Sequence, residues 1–181
     1  MKIPKSYKDI TIKQFDKLKS VNDIEDSTER QMAQLCILLD CDIDDLNKLS
    51  IGEINEINDS IKFLREHPKD GFDRVIEIDG VKFGFIQNLE HLTLGEWIDL
   101  DYHTSNWDDE KHKLASVLWR RIISEDNLGY KIEEYNGETA EKTAQLFYEK
   151  LSYSDLWGAS LFFSTIATEI LRYSPEYLLL S

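Results

Sequence analysis

The four histidines are the first candidates for a chemical role in this sequence, because imidazole can bind metal ions and transfer protons near neutral pH. They are His67, His91, His103 and His112. None belongs to a His-Glu-x-x-His pattern, and the sequence has no Cys-x-x-Cys pair, so the usual spacings of zinc ligands are missing. We therefore predict no metal site. We interpret His67, which precedes Pro68, as the end of a helix.

The two cysteines, Cys36 and Cys41, lie five positions apart in an apolar segment that is predicted to end a helix. Disulfides are typical of oxidising compartments, and a free cysteine usually behaves as a small apolar side chain. We interpret both residues as free, buried thiols of a protein in a reducing compartment.

The segment DLDYHTSNWDDE is the one stretch whose acids approach the spacing of a calcium-binding loop. Asp99 and Glu110 would occupy its first and twelfth positions. The sixth position, where the loop requires glycine, is Thr104, and the fifth is His103. The sequence therefore predicts no calcium site, and we interpret Asp101–Asp109 as an exposed acidic loop.

One basic and aromatic cluster is present, formed by Trp119, Arg120 and Arg121. It lies near the end of a helix predicted over Lys111–Ile123. Arginines there would complement the helix dipole and the free carbonyl groups. The alternative is contact with an anionic partner. Both interpretations stay open, and the three residues are candidates for partner binding.

The chain closes on an apolar segment: Tyr177, Leu178, Leu179 and Leu180. It follows Pro175, which stops the preceding helix. One interpretation is that the tail folds back over the core at Phe162 or Phe163. The other is that it anchors the protein to a partner as a short apolar peptide, which makes these four residues candidates for partner binding.

Patterns typical of enzymes are missing from this sequence. There is no glycine-rich phosphate loop and no Gly-x-Ser-x-Gly turn. Pairs of carboxylates carry little information in a chain with 35 acidic residues. We predict a non-enzymatic protein with no catalytic residue, no cofactor and no small-molecule substrate.

The charge of the chain restricts its partners. Lys and Arg number 21 and Asp and Glu number 35, which gives a formal net charge of −14. Such a chain is repelled by nucleic acids and by anionic membranes, so we expect neither as a direct partner. Basic protein surfaces suit it better. No apolar run approaches the roughly 20 residues that cross a bilayer, and the start of the chain does not resemble a secretory signal.

The helices that position these residues begin at one eight-residue motif, which occurs three times. It reads TIKQFDKL from Thr11, SIGEINEI from Ser50 and TLGEWIDL from Thr93. In each copy a hydroxyl is followed three residues later by Gln or Glu, which is the capping box of a helix start. A looser copy begins at Ser152, with Asp155 as its partner.

These signals, with apolar spacing, predict a mainly α fold. The helices are expected over Ile12–Lys19, Ser27–Leu39, Ser50 to Arg65, a short stretch after Thr93, Lys111–Ile123, and two segments of Thr139–Arg172 that divide near Leu151. Residues 127–137 are predicted to be irregular. Asp79-Gly80 between two alternating runs predicts one β-hairpin at about residues 74–86. We expect a single compact helical domain over residues 1–181, with this hairpin as an insertion.

Two motifs carry a resemblance to a known group of proteins. They are Ile3-Pro4-x-Ser6-Tyr7-x-Asp9-Ile10-Thr11-Ile12-x-Gln14-Phe15 and Leu92-Thr93-x-Gly95-Glu96-Trp97-Ile98-Asp99-Leu100. With them the chain resembles small acidic proteins encoded among the virion genes of tailed phages of gut Bacteroidetes, including crAss-like phages. Some of those proteins are tail assembly chaperones, and others are virion components or cargo proteins.

The resemblance implies a non-enzymatic, virion-associated protein, either cargo or a component near the portal and tail, that acts through protein–protein binding. Its expected partners are other phage structural proteins, and self-association is left open. The expected location is the virion, and the host cytoplasm during assembly. Two alternatives remain: a tail assembly chaperone, and an acidic mimic of DNA that inhibits a host enzyme.

Overall fold

The computed structural model of the protein describes residues 2–68 and 71–172, except the side chains of residue 90 and of residues 167–172. Within these residues the chain forms eight α-helices and one four-stranded sheet. The helices are α1 Ile12–Ser20, α2 Ser27–Leu39, α3 Ile43–Leu46, α4 Ile51–Ser60, α5 Leu94–Ser105, α6 Trp107–Leu118, α7 Gly137–Lys150 and α8 Tyr153–Arg172. The strands are β1 Val75–Ile78, β2 Val81–Phe85, β3 Trp119–Asp126 and β4 Gly129–Ile132. The fold is mainly α, as the sequence predicts.

Capping boxes begin three of these helices, as predicted. In each box the cap hydroxyl accepts the N–H of the third helical residue, and the side chain of that residue accepts the N–H of the cap. The pairs are Thr11 with Gln14 in α1, Ser50 with Glu53 in α4, and Thr93 with Glu96 in α5. The fourth, looser motif at Ser152 forms only half of a capping box. Ser152 accepts from the N–H groups of Ser154 and Asp155, whereas the Asp155 carboxylate accepts the N–H of Asp73 at 2.8 Å.

Replacement of the α5 cap should lower stability by a small, measurable amount. We expect Thr93→Ala to reduce the free energy of unfolding by about 1 kcal/mol, the typical loss for an N-cap hydroxyl. Urea denaturation measures it. Thr28→Ala is the control, because Thr28 is exposed inside the first turn of α2 and caps no helix. Equal stability of the two variants would contradict the capping role.

The sheet is antiparallel throughout, in the order β1-β2-β3-β4. The predicted hairpin is present, and both residues of its turn have positive φ, 52° at Asp79 and 76° at Gly80. It is not an isolated insertion, because β2 also pairs with β3, with Phe85 opposite Trp119. The prediction of one hairpin is therefore corrected to a four-stranded sheet.

The second half of the sheet lies where a helix and an irregular segment were predicted. The helix expected to reach Ile123 ends at Leu118, and Trp119 starts β3 directly. The first residues of β3 are rich in aromatic and β-branched side chains, which favour strands, and pairing covers the otherwise free edge of β2. Asp126 accepts the N–H groups of Leu128 and Gly129 and so forms the turn into β4.

The expected acidic loop is also corrected. Helix α5 continues to Ser105 and α6 begins at Trp107, so that Asn106 alone separates them. The Asn106 side chain donates to the carbonyl of Tyr102 at 2.8 Å. Acids in the first turn of α6 are favourable because they face the positive end of the helix dipole. A smaller difference concerns α4, which ends at Ser60 and continues as a 3-10 turn over Ile61–Arg65.

Two hydrophobic clusters form the interior. The larger one joins the sheet with α1, α5, α6, α7, α8 and, through Leu38, the end of α2. Its fully buried members include Ile12, Phe85, Leu100, Leu114, Leu118, Trp119, Phe147 and Leu156. The smaller one is formed by α2, α3 and α4 through Leu35, Leu39, Leu46 and Ile57. Ile61 packs against both clusters and connects them.

Candidate protein-binding surface

The predicted partner-binding residues fall in different places. Tyr177, Leu178, Leu179 and Leu180 lie outside the described residues. Trp119, Arg120 and Arg121 are the first three residues of β3, so they are not at the end of a helix. The structure separates these three side chains into a core residue, a buried ion pair and an exposed cation.

Trp119 is a core residue. Its side chain has no exposed surface, and its ring packs edge-on against Phe85 and Phe72 at 5.1 and 5.5 Å between centroids. Its indole N–H donates to the carbonyl of Asp73 at 3.1 Å. The interior therefore satisfies both the apolar and the polar part of this side chain.

Arg120 forms an ion pair with Glu96 that joins β3 to α5. The Nη2–Oε1 distance is 3.0 Å, and the side chains are only 13% and 5% exposed. The other Glu96 oxygen accepts from the backbone N–H and the hydroxyl of Thr93, each at 2.7 Å. Arg121 alone is exposed, and it lines an open groove of about 450 Å³ beside Val81 and Ile123.

Helix α5 is held from two further directions. The Tyr135 hydroxyl, in the segment before α7, donates to Asp99 at 2.6 Å. Burial, with this hydrogen bond to a carboxylate, raises the pKa of Tyr135. Trp97 packs against Phe163 of α8, with 6.0 Å between ring centroids. The inward side of α5 is thus fixed by the sheet, by α8 and by the segment before α7.

The outward side of α5 carries three exposed apolar residues in one line. Leu94 is 75% exposed, and Ile98 and Tyr102 are each 56% exposed. Residues four positions apart follow one another along a helix surface, so this line is about 12 Å long. We call these three residues the α5 face. Single exposed apolar residues are ordinary, but several in one patch indicate an interaction site.

The surroundings of the α5 face are acidic. Between Thr93 and Glu110 the chain has no Lys or Arg and six acids: Glu96, Asp99, Asp101, Asp108, Asp109 and Glu110. Four of them have partners, because Glu96 binds Arg120, Asp99 binds Tyr135, Asp108 binds Lys19 and Glu110 binds Lys113. Asp101 and Asp109 form no ion pair with any described residue. The α5 face therefore combines apolar side chains with uncompensated negative charge.

Two half-buried histidines lie on α5 and α6. His103 Nδ1 is 3.2 Å from the Glu110 carboxylate, which also lies 3.1 Å from Lys113 Nζ. His112 on α6 packs against Tyr148 of α7 at 5.2 Å between ring centroids. Burial lowers the pKa of both imidazoles; Glu110 opposes this at each, and Asp99 also opposes it at His103.

Stability should fall as the pH drops through the range of these histidines. Below an unfolded pKa of about 6.5 the unfolded chain binds more protons than the folded one, so acid favours unfolding. Each histidine contributes a slope of at most about 1.4 kcal/mol per pH unit between that value and its lowered folded pKa. Urea denaturation at pH 7, 6 and 5.5 measures the slope. His112→Gln should flatten it, and an unchanged slope would contradict this assignment.

A cleft of about 620 Å³ lies elsewhere, between the N-terminal segment and the start of α8. Its lining includes Tyr7, Lys8, Phe72, Asp73 and Ser154. The polar groups at this cleft already bind one another. Lys8 Nζ is 2.9 Å from the Asp73 carboxylate, and the Tyr7 hydroxyl donates to the carbonyl of Glu66 at 2.8 Å. The α5 face is the stronger candidate because its side chains have no such partners.

No group of three or more His, Cys, Asp or Glu side chains in residues 2–68 and 71–172 is arranged to hold a metal ion. Among the helices described there, none combines the length and the apolar character that crossing a membrane requires. Comparison of the chain with known protein families, with curated proteins and with solved structures finds no match in any of the three.

Proposed function

We propose that this protein is a non-enzymatic, virion-associated protein of a tailed bacteriophage, either cargo or a component near the portal and tail, that binds other virion proteins through the α5 face. The observation that carries the binding role is the line of Leu94, Ile98 and Tyr102 on an otherwise fixed helix. The phage setting rests on the resemblance of the motifs around Thr11 and Thr93.

A fixed helix with an exposed apolar line is suited to binding. Covering apolar surface contributes about 25 cal/mol per Å². A surface that is already ordered loses little conformational entropy on association. Here the capping box at Thr93, the Glu96–Arg120 pair and the Tyr135–Asp99 hydrogen bond order α5 before any partner arrives.

The charge of the protein supports a place within a particle. A net charge of −14 keeps copies of the chain apart at high local concentration and prevents adhesion to packaged DNA. It supports a mimic of DNA less well, because many surface carboxylates are compensated by lysines. Examples are Lys13 with Glu149, Lys82 with Glu125 and Lys150 with Asp79.

Mass spectrometry of purified virions tests the proposal, with the phage encoding either the natural chain or a variant. We expect the natural protein in the particles and at least a tenfold lower amount of the double variant Leu94→Ser, Ile98→Ser. Leu128→Ser is the control, because Leu128 is 98% exposed at the turn between β3 and β4, away from α5. Melting temperatures check that all three proteins fold.

Other outcomes separate the alternatives. A natural protein that is abundant in infected cells, missing from virions and needed for tail formation would favour a tail assembly chaperone. A protein that is missing from virions and bound to a host DNA-dependent enzyme would favour the DNA mimic. Equal incorporation of the double variant and the control would remove the α5 face as the binding surface.

A further inference from the structure

We infer that the partner at the α5 face is a basic amphipathic helix of another protein, whose apolar stripe covers Leu94, Ile98 and Tyr102 while its Lys or Arg side chains meet Asp101 and Asp109. The inference rests on the proposed function, because it takes the α5 face as the binding surface. It adds the chemistry of the partner.

The shape of the α5 face fits a helix. Its three apolar residues recur every four positions along about 12 Å, and apolar residues at i, i+4 and i+8 of a second helix recur over the same length. Two such lines can pack side by side, with side chains of one entering spaces of the other. Tyr102 suits the end of this line, because its ring is apolar and its hydroxyl can stay in water.

The charges select a basic partner. Asp101 lies three residues after Ile98, next to the apolar line on the helix surface, and it is exposed with no ion pair among the described residues. Asp109 adds a second exposed carboxylate in the first turn of α6. Since α5 itself contains no Lys or Arg, nothing on this helix would repel a cationic partner. The negative charge of the whole chain would also speed the approach of a cation.

The same charges disfavour a second copy of this chain as the partner. In a symmetric dimer each surface meets its own equivalent. The uncompensated Asp101 and Asp109 of both copies would then border the same small apolar contact, and α5 offers no Lys or Arg to pair with them. Like charges that lose water at an interface cost free energy, so a partner of opposite charge is favoured.

The test uses a defined probe and the full-length protein. The probe is a 14-residue peptide of Lys and Leu, with Leu at helical spacing on one face. Two matched peptides replace every Lys with Glu or scramble the order of the same residues. Calorimetry at two salt concentrations gives the dissociation constants. We expect the ordered Lys peptide to bind, more weakly at high salt, and the Glu peptide to show no binding.

Variants locate the binding. Ile98→Ser should weaken binding of the Lys peptide at least tenfold, and Asp101→Asn about threefold. The controls are Leu128→Ser, an exposed apolar residue elsewhere, and Glu56→Gln, an exposed acid on α4; both should stay within twofold of the natural protein. Ile98 is half exposed, so its replacement should leave the melting temperature nearly unchanged, which the same samples can verify.

Four results would overturn the inference: no binding of the Lys peptide, equal binding of the Glu peptide, equal binding of the scrambled peptide, or equal effects of Ile98→Ser and Leu128→Ser. Failure of the proposed function would give a different combination of results. If the Lys peptide does not bind but the α5 variant is lost from virions, the surface is right and the basic partner is wrong. If the peptide binds at α5 and the protein is missing from virions, the partner chemistry stands and the virion assignment falls.

Discussion

Glu96→Ala is expected to lower the free energy of unfolding by about 3–5 kcal/mol, the usual cost of removing one partner of a buried ion pair. The substitution leaves the Arg120 guanidinium with only 13% of its side chain exposed and without its carboxylate. The Nε of Arg120 already has no hydrogen-bond partner in the described structure. The variant also loses both side-chain bonds to Thr93, and with them half of the capping box of α5.

Urea denaturation of three proteins separates these contributions. Glu96→Gln keeps an acceptor for the cap and removes the charge, so it should be less destabilising than Glu96→Ala. The double variant Glu96→Ala, Arg120→Met should recover part of the loss, because no unpaired charge is then left buried. A loss below about 1 kcal/mol for Glu96→Ala would mean that the pair is solvated and that α5 is held by its apolar contacts.

Trp119→Ala is expected to cost about 3–5 kcal/mol, as is typical for removing a large buried aromatic side chain. The ring has no exposed surface and packs edge-on against both Phe85 and Phe72. Its removal would leave a cavity at the point where α6 becomes β3. It would also leave the carbonyl of Asp73 without the indole donor.

Thermal and urea denaturation measure this loss. Trp119→Phe retains a ring in the same place and loses only the indole N–H and some volume, so we expect roughly half the effect. Ile123→Ala is the control on the same strand, because Ile123 is 55% exposed and its truncation should change stability by less than about 1 kcal/mol. Equal losses at both positions would contradict the burial of Trp119.

The sequence predicts those features of the fold that depend on a few neighbouring residues. A capping box is complete within four positions, so Thr11, Ser50 and Thr93 mark their helices correctly. The turn at Asp79-Gly80 is local in the same way. Strand β3 is different, because it forms where apolar residues fit either a helix or a strand. Its partner β2 lies more than 30 residues earlier in the chain.

The candidate surface was missed for a related reason. The spacing of Leu94, Ile98 and Tyr102 is visible in the sequence, but a loop was predicted from Asp101 because acids dominate there. The backbone hydrogen bonds that continue α5 past that point, such as that from the Asn106 N–H to the carbonyl of Tyr102, link residues about one helical turn apart. The contact of Arg120 with Glu96 could not be predicted, since it requires the packing of β3 against α5.

The smaller hydrophobic cluster indicates which part of the protein unfolds first. Its four buried members come from one continuous stretch of chain, α2 to α4, which is joined to the larger cluster through Ile61 and through Leu38 of α2. A continuous unit with a small core of its own can unfold while the remainder stays native. Amide hydrogens of α3 and α4 should therefore exchange with solvent before those of α6. The α5 face belongs to the slowly exchanging part and would remain able to bind while this unit is open.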